Sequence, residues 1–459
     1  MNLTIVILAA GKGTRMRSSL PKVLHKLGHK SLLRHVYDLC NQFQDKHIHI
    51  VVGHGADQVL KDFIDDTNIV WTEQAEQLGT GHAVQKVCDK IDNDSTVLIL
   101  YGDVPLLTYQ TLEKLLLTVN NNTIGLLTVN LDDPKGYGRI VRHDQTGHVV
   151  RIIEEKDANS AEKLITEVNT GIVAVPGRYL KQWIAQLNNN NAQKEYYLTD
   201  IIELAVSDHF TVITTQPQAV EEILGVNDKS QLAFLERVYQ QQLAKELMLK
   251  GVMLRDPNRF DLRGEIIELG QAIEIDINVI FEGTNQIGNN VKIGANCIIK
   301  NSVIANDVDI LPHCIIENAV IGEGSRIGPF ARIRPETILA THTHIGNFVE
   351  IKKSSIGDGT KINHLSYIGD SVIGRQVNVG AGTITCNYDG VNKFQTIIED
   401  GAFIGSNTQL VAPVIIGENA TIGAGSTITK DTPPQQLTLS RNKQVSIPHW
   451  QRPVKEEKN

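Results

Sequence analysis

A chain of 459 residues is longer than one hydrophobic core usually supports, and 41% apolar residues are enough to fill two. Its 44 basic and 52 acidic residues leave a formal charge of −8, which argues against a general polyanion binder and against a protein held on anionic lipid. Neither nucleic acid nor membrane is therefore expected as a partner, and any phosphate chemistry must be local.

The N-terminus MNLTIVILAAGKG has no basic leader and its apolar run is strand-length. No stretch approaches the ~20 residues of a membrane span, so a soluble, uncleaved chain is expected. Next comes ILAAGKGTRMRSSLPK, residues 7–22. A Walker A loop needs G-x-x-x-x-G-K-[ST], and the spacing fails at Gly11-Lys12-Gly13-Thr14. A dinucleotide fingerprint needs a third Gly or Ala where this chain has Met16. What remains is a loop after the first strand whose N–H groups, Ala10 to Gly13, can approach a nucleotide, with Arg15 and Lys22 to neutralise charge. A plain strand-to-helix turn with incidental basic residues is the bland alternative.

Up to about residue 227, β-branched runs such as LTIVIL, HIHIVVG, NIVWT and TVLILYGD alternate with helix-like stretches. Such runs read as strands buried on both faces, and the whole as a doubly wound α/β sheet. TVLILYGD leaves Asp103 at the carboxyl end of a strand, where open α/β sheets bind ligands and one carboxylate with phosphate oxygens suits Mg²⁺. Asp103 reads equally as a helix N-cap ahead of Pro105. Thr80-Gly81-His82 reads blandly as an N-cap followed by a surface histidine. Glu154 and Glu155, being adjacent, should point to opposite faces of a strand.

Residues 228–252 space Leu232, Leu235, Val238, Leu243 and Leu247 at helical steps between an Asp and Gly251, which predicts a long connecting helix. From about residue 264 the helical signal gives way to a six-residue beat, as in IGNNVK-IGANCI-IKNSVI. An aliphatic residue at i and a small or β-branched one at i+4, such as Ile293 and Val291 across a repeat boundary, both face inward on a strand. Three strands and three corners make a triangular coil of about eighteen residues, stacked ~4.8 Å on the last, with roughly nine coils over 269–430. An ordinary β-sandwich would instead show turns every 8–12 residues. The beat breaks at 385–403, where an insertion is expected to carry function. The domains are thus 1–227, a helical linker 228–252, and a left-handed parallel β-helix of hexapeptide repeats over 253–459 that ends in an irregular tail from 442. The five cysteines Cys40, Cys88, Cys297, Cys314 and Cys386 lie far apart without a C-x-x-C pair, which signals neither a disulfide framework nor a zinc knuckle and suits a reducing cytoplasm.

LAAGKGTRMRSSLPK closely resembles the L-x-x-G-x-G-T-R-x(n)-P-K signature of sugar-1-phosphate nucleotidylyltransferases. Joined to hexapeptide repeats, residues 3–453 resemble the bifunctional bacterial family of N-acetylglucosamine-1-phosphate uridylyltransferase / glucosamine-1-phosphate N-acetyltransferases. The resemblance implies that Leu8, Ala9, Ala10 and Gly11 hold the uridine of UTP, and Gln74, Gly79 and Thr80 its uracil and ribose region. It implies that Arg15 and Lys22 face the triphosphate and that Asp103 and Asn227 share Mg²⁺. Tyr101, Gly102, Asp103, Gly138, Glu154 and Asn169 would meet the sugar.

For the repeats it implies acetyl transfer from acetyl-CoA to glucosamine 1-phosphate. The amine is largely ammonium near neutrality and needs a base. His364, two residues after Ile362, is the candidate, although a solenoid histidine is more often a surface or corner residue. Arg334, Lys352 and Tyr367 lie about one coil apart, which predicts a cationic groove along one side. The resemblance assigns Arg334, Lys352, Tyr367 and Asn378 to the sugar phosphate, His364 to proton abstraction, and Ala381, Asn387, Tyr388, Ser406, Ala424 and Arg441 to acetyl-CoA or substrate. Direct transfer with no acyl-Cys386 is expected, because it needs only a base and an amide donor for the tetrahedral oxyanion; the resemblance implies a homotrimer whose neighbouring chains complete the coenzyme sites. Two rivals remain: a nucleotidylyltransferase of ADP-glucose or GDP-mannose type with a regulatory β-helix, and a β-helix that is purely an assembly scaffold.

Overall fold

The computed structural model describes residues 2–453; the end of the expected tail, 454–459, lies outside them. Contacts divide the chain into two units, Met1–Tyr239 and Gln240–Asn459.

In the first unit, β1 (Leu3–Ala9) is buried along its whole length, as a strand covered on both faces must be. Its side chains alternate: Leu3, Ile5, Ile7 and Ala9 join one apolar cluster, Val6 and Leu8 the other. β2 (Lys46–Val52), β3 (Ile69–Glu73) and β4 (Thr96–Tyr101) extend the sheet in parallel, in the order β4-β1-β2-β3. Helices α1 (Leu32–Cys40), α2 (Ala56–Asp62) and α3 (Thr80–Gln85) make the connections.

The sheet is mixed rather than parallel throughout. β5 (Thr123–Asn130) is followed by a hairpin, β6 (Arg139–Arg142) and β7 (Val149–Ile153). β8 (Glu167–Pro176) then runs antiparallel between β4 and β5, and β9 (Thr211–Thr215) closes the edge beside β5. A register shift in β8 between Asn169 and Val173 includes Gly171 at φ +83, where a Cβ would run into the Tyr101 ring. Only glycine fits there, and the bulge aims Asn169 and Gly171 at a cavity. The long helix, Lys229–Leu249, begins where the Asp228 carboxylate accepts the N–H groups of Ser230 and Gln231. Leu235 packs with Met16, Leu27, Leu32 and Val226.

In the second unit the inward ladder runs Ile275, Ile293, Ile310, Ile327, Ile345, Ile362, Val379, Ile404 and Ile422, each paired in parallel with the next. Partners on successive coils stand 17 or 18 residues apart. Among the described residues this face has eleven strands, one beyond the beat at each end: Met253–Leu254 and Leu437–Thr438. The middle coils each add two further short strands, such as Ile298–Lys300 and Val303–Ile304, where the first two coils have one long strand, Phe260–Leu269 and Val279–Ile287. Both inward positions are filled as expected: Ile293 and Val291 are buried in one continuous core with Ala244 and Leu247. Trimming Ile299, fully buried between two coils, to Ala is expected to cost about 2–5 kcal/mol in chemical denaturation of this unit.

The break in the beat is narrower than 385–403. Thr396–Ile398 and Phe403–Ile404 are ordinary repeat strands. The surplus is the stretch after Ile384–Cys386, pinned by an antiparallel bridge between Tyr388 and Lys393, and here partners on successive coils stand 25 residues apart. From 442 to 453 the chain has neither helix nor strand.

Candidate active sites

Because Leu8 on β1 lies opposite Tyr101 on β4, the carboxyl ends of both strands open into one cleft of about 260 Å³. Leu8, Ala9, Ala10, Gly11, Lys22, Gln74, Gly79, Thr80, Tyr101 and Asp103 all line it. Gly102 bonds back to the Leu8 carbonyl at 2.9 Å. The Lys22 ammonium lies 2.5 Å from Asp103 Oδ2 and 3.2 Å from Asn227 Oδ1, so three distant stretches of chain converge on one point. Asp103 is not a helix cap: the next helix, α4 (Tyr109–Leu116), is capped by Thr108, whose side chain accepts the Thr111 N–H. Arg15 is exposed on the single turn Thr14–Met16 and does not line the cleft. Thr80 does not cap α3 either. Gly79 holds that position, and the Thr80 hydroxyl accepts the Leu198 N–H at 3.1 Å. His82 is buried, not a surface residue.

Beside the cleft, and sharing Tyr101 with it, is a second, much smaller cavity lined by Asn169, Gly171 and Thr199. The Asn169 N–H donates to the Gly138 carbonyl, and a Cβ at Gly138 would stand 3.5 Å from both Glu154 oxygens. Gly138, Glu154 and Asn169 are therefore neighbours. Glu154 accepts the Thr199 hydroxyl at 3.0 Å, and burial raises its pKa above the usual carboxylate range. Glu155 does turn away from Glu154, but not through strand alternation, since β7 ends at Ile153. It pairs at 2.7 Å with Arg139, a guanidinium only 2% exposed, and accepts the Gly136 N–H.

In the repeat unit His364 ends the strand Lys361–His364, paired with Asn347 on the preceding coil. Its side chain is exposed, because the chain turns the corner there, with Leu365 at φ +45; the expected inward-face position is thus a corner position. Ala381, Ser406 and Ala424 each follow the ladder residues Val379, Ile404 and Ile422 by the same two steps that separate His364 from Ile362. One file thus runs His364, Ala381, Ser406, Ala424 along a corner. Arg441 joins its far end, donating from Nη1 to the Ala424 carbonyl at 3.0 Å.

Arg334 follows Ile333 and Lys352 follows Ile351, and those two isoleucines pair, so the cations stand side by side. Tyr367 does not continue their row. It lies opposite Glu350, and Gly369 takes the place beside Lys352. The ring instead leans along the face, so that a Cβ on Gly369 would stand 2.5 Å from the Tyr367 hydroxyl oxygen. Arg334 is also partly neutralised, bonding Glu350 at 2.6 Å. Asn378 stands on a different face, opposite Lys361. Asn387 is buried and donates from Nδ2 to Asp370 Oδ2 at 2.5 Å, while Tyr388 is exposed in the inserted loop. Burial raises the pKa of the Cys386 thiol, which keeps it protonated.

Three family models match: a MobA-like NTP transferase domain over residues 5–167, a GMPPB C-terminal domain over 267–348 and the bacterial transferase hexapeptide (six repeats) over 395–430. Proteins named Bifunctional protein GlmU match along the whole chain. That of Methylococcus capsulatus is 58% identical, covering 100% of this chain and 99% of its own. Those of Nitrosospira multiformis and Marinobacter nauticus are 55% and 54% identical, each covering 99% of both chains. The chain belongs to the bifunctional GlmU family. The match to the GMPPB C-terminal domain stops at residue 348, before His364 and the file that follows it. The GlmU likeness covers both.

Four residues packed against these sites were not singled out from sequence: Arg139, Glu155 as its partner, Thr199 and Asp370. Arg139 and Asp370 each carried a signal, a charged residue within a strand-like apolar run. Nothing local marks Thr199, which reaches Glu154 only through the tertiary fold.

Proposed function

We propose that this chain makes UDP-N-acetylglucosamine in two steps, acetyl transfer in the repeat unit and uridylyl transfer in the first. What carries the reading is that one chain holds both the convergence of Lys22, Asp103 and Asn227 at the nucleotide cleft and the corner file that starts at His364.

In the first step the amine of glucosamine 1-phosphate gives a proton to His364 and attacks the thioester carbonyl of acetyl-CoA. An N–C bond forms, the C–S bond breaks and coenzyme A leaves as its thiol. Arg334, Lys352, Tyr367 and Asn378 hold the sugar phosphate, and Ala381, Asn387, Tyr388, Ser406, Ala424 and Arg441 line the coenzyme's path. In the second step a phosphate oxygen of N-acetylglucosamine 1-phosphate attacks the α-phosphorus of UTP, and pyrophosphate leaves. Lys22 faces the triphosphate from within the cleft, and Arg15, which does not line the cleft, meets it from the exposed turn Thr14–Met16; Leu8 to Gly11, Gln74, Gly79 and Thr80 take the nucleoside; Tyr101 to Asp103, Gly138, Glu154 and Asn169 take the sugar.

Asp103 and Asn227 fit Mg²⁺: their oxygens already converge on one cation, the Lys22 ammonium, and hard oxygen donors suit that ion. Among the described residues no cluster of three His, Cys, Asp or Glu side chains is placed to hold a metal, so phosphate oxygens and water would complete the shell. Bound there, the ion would neutralise charge on the triphosphate.

The repeat unit exposes one corner of His313, Phe330, Phe348 and Leu365, all at positive φ, with the three rings stacked at centroid distances of 4.7 and 5.4 Å. Bulky residues rarely adopt that backbone, and exposed stacked rings are an interface composition. The file lies beside that of His364. Covering it with a second copy supports a homotrimer in which neighbouring chains complete the coenzyme groove. Cys40, Cys88, Cys297, Cys314 and Cys386 are all free thiols, which fits the cytoplasm.

The test is to incubate the purified chain with UTP, acetyl-CoA, glucosamine 1-phosphate and Mg²⁺. UDP-N-acetylglucosamine, coenzyme A and pyrophosphate are expected, from a preparation that sediments as a trimer. Coenzyme A release without a UDP-sugar, or the reverse, would refute the two-step reading.

A further inference from the structure

The nucleotide cleft contains a hydrogen-bond chain whose polarity is fixed by its ends. Gln74 is 3% exposed, and its Nε2 donates to the Gly79 carbonyl oxygen at 3.0 Å. A backbone carbonyl can only accept, and turning the amide over would set two oxygens against each other. This contact identifies Nε2 as the nitrogen but holds only one of its two N–H groups. The second N–H of Nε2 reaches His82 Nδ1 at 3.1 Å, so that ring atom must offer a lone pair. Both donors of the amide are then used, and Oε1 remains as an acceptor on a residue that lines the cleft.

The imidazole is held in the form this requires. Burial and the nearby Lys86 lower its pKa, which keeps it neutral. A neutral ring whose Nδ1 accepts from Gln74 carries its one proton on Nε2. The Glu76 carboxylate and the Tyr196 ring, 6.3 Å away between centroids, complete its surroundings.

We propose that His82 is a positioning residue which locks the Gln74 carboxamide with its oxygen toward the base, so that the cleft admits a pyrimidine carrying an N3–H and rejects one carrying an N3 lone pair. The inference rests on the reading of this cleft as the UTP site. Uracil offers its N3–H to Oε1. Cytosine would place a lone pair against it, and a buried acceptor facing a lone pair has no remedy while the amide cannot turn. Thymine shares the N3–H, so this device separates UTP from CTP and not from TTP.

Steady-state kcat/KM for UTP and for CTP, with N-acetylglucosamine 1-phosphate and Mg²⁺, tests this in the full chain. His82→Ala removes the lock and is expected to narrow the UTP-to-CTP ratio about tenfold. His82→Asn, which returns an acceptor near the place of Nδ1, is expected to restore most of it. A ratio unchanged in His82→Ala, or narrowed equally in both variants, overturns the proposal. A ¹⁵N spectrum of the wild-type imidazole, read without substrate and independent of how the variants fold, should show a neutral ring protonated at Nε2. A charged ring or an Nδ1–H tautomer at pH 7 overturns it too. A wild type that yields no UDP-sugar refutes the assignment of the cleft itself, a failure these ring signals would not mimic.

Discussion

Asp103→Asn is expected to lower uridylyl transfer by about a thousandfold or more while acetyl transfer by the same chain stays within about twofold. The substitution keeps the shape and one oxygen of the side chain and removes only its charge. Where Lys22, Asp103 and Asn227 meet, that carboxylate is the single anion: Asn227 contributes a neutral amide oxygen. The Lys22 and Asp103 side chains are 15% and 14% exposed, so little water screens the pair. Without the carboxylate, a divalent ion held by residues 103 and 227 would meet only neutral amide oxygens there, and the ammonium would lose its counter-charge. Assaying both half-reactions separates this from general damage. A loss of uridylyl transfer smaller than tenfold would remove Asp103 from the centre of the mechanism.

His364→Ala is expected to lower acetyl transfer by about 10²–10⁴-fold and to leave uridylyl transfer from pre-formed N-acetylglucosamine 1-phosphate intact. Because the imidazole is exposed at its corner, added imidazole should reach the space it leaves and restore part of the rate. An unchanged acetyl transfer rate would leave the file along that corner without a base and favour the scaffold reading. The same assay settles Cys386. A thiol kept protonated by burial is a poor nucleophile, so peptides recovered during turnover should carry no acetyl group on Cys386.

The repeat unit was readable from sequence because its period is set by geometry. An inward residue at every sixth place is demanded by the coil itself, so Ile275 through Ile428 announce their own burial. The first unit was readable in part. Continuous apolar runs gave β1 and β4 with the cleft at their ends, but such a run carries no sign of direction, and the antiparallel β8 could not be told from a parallel strand. Side-chain partnerships were less legible. Tyr367 follows Lys352 by 15 residues, two short of the 17-residue coil at this level, so it falls opposite Glu350 and Gly369 stands beside Lys352. The role of His82 depends on Gln74 and Glu76 closing around it, which no linear pattern encodes.

The swollen coil after Cys386 carries its surplus outside the ladder, so Val379 still meets Ile404 in phase. Growth of this stack is therefore modular: one rung can lengthen while every rung above it keeps the alignment inherited from below. Variation in the length of that loop can reshape what the protein grips at this level without retuning the remaining layers.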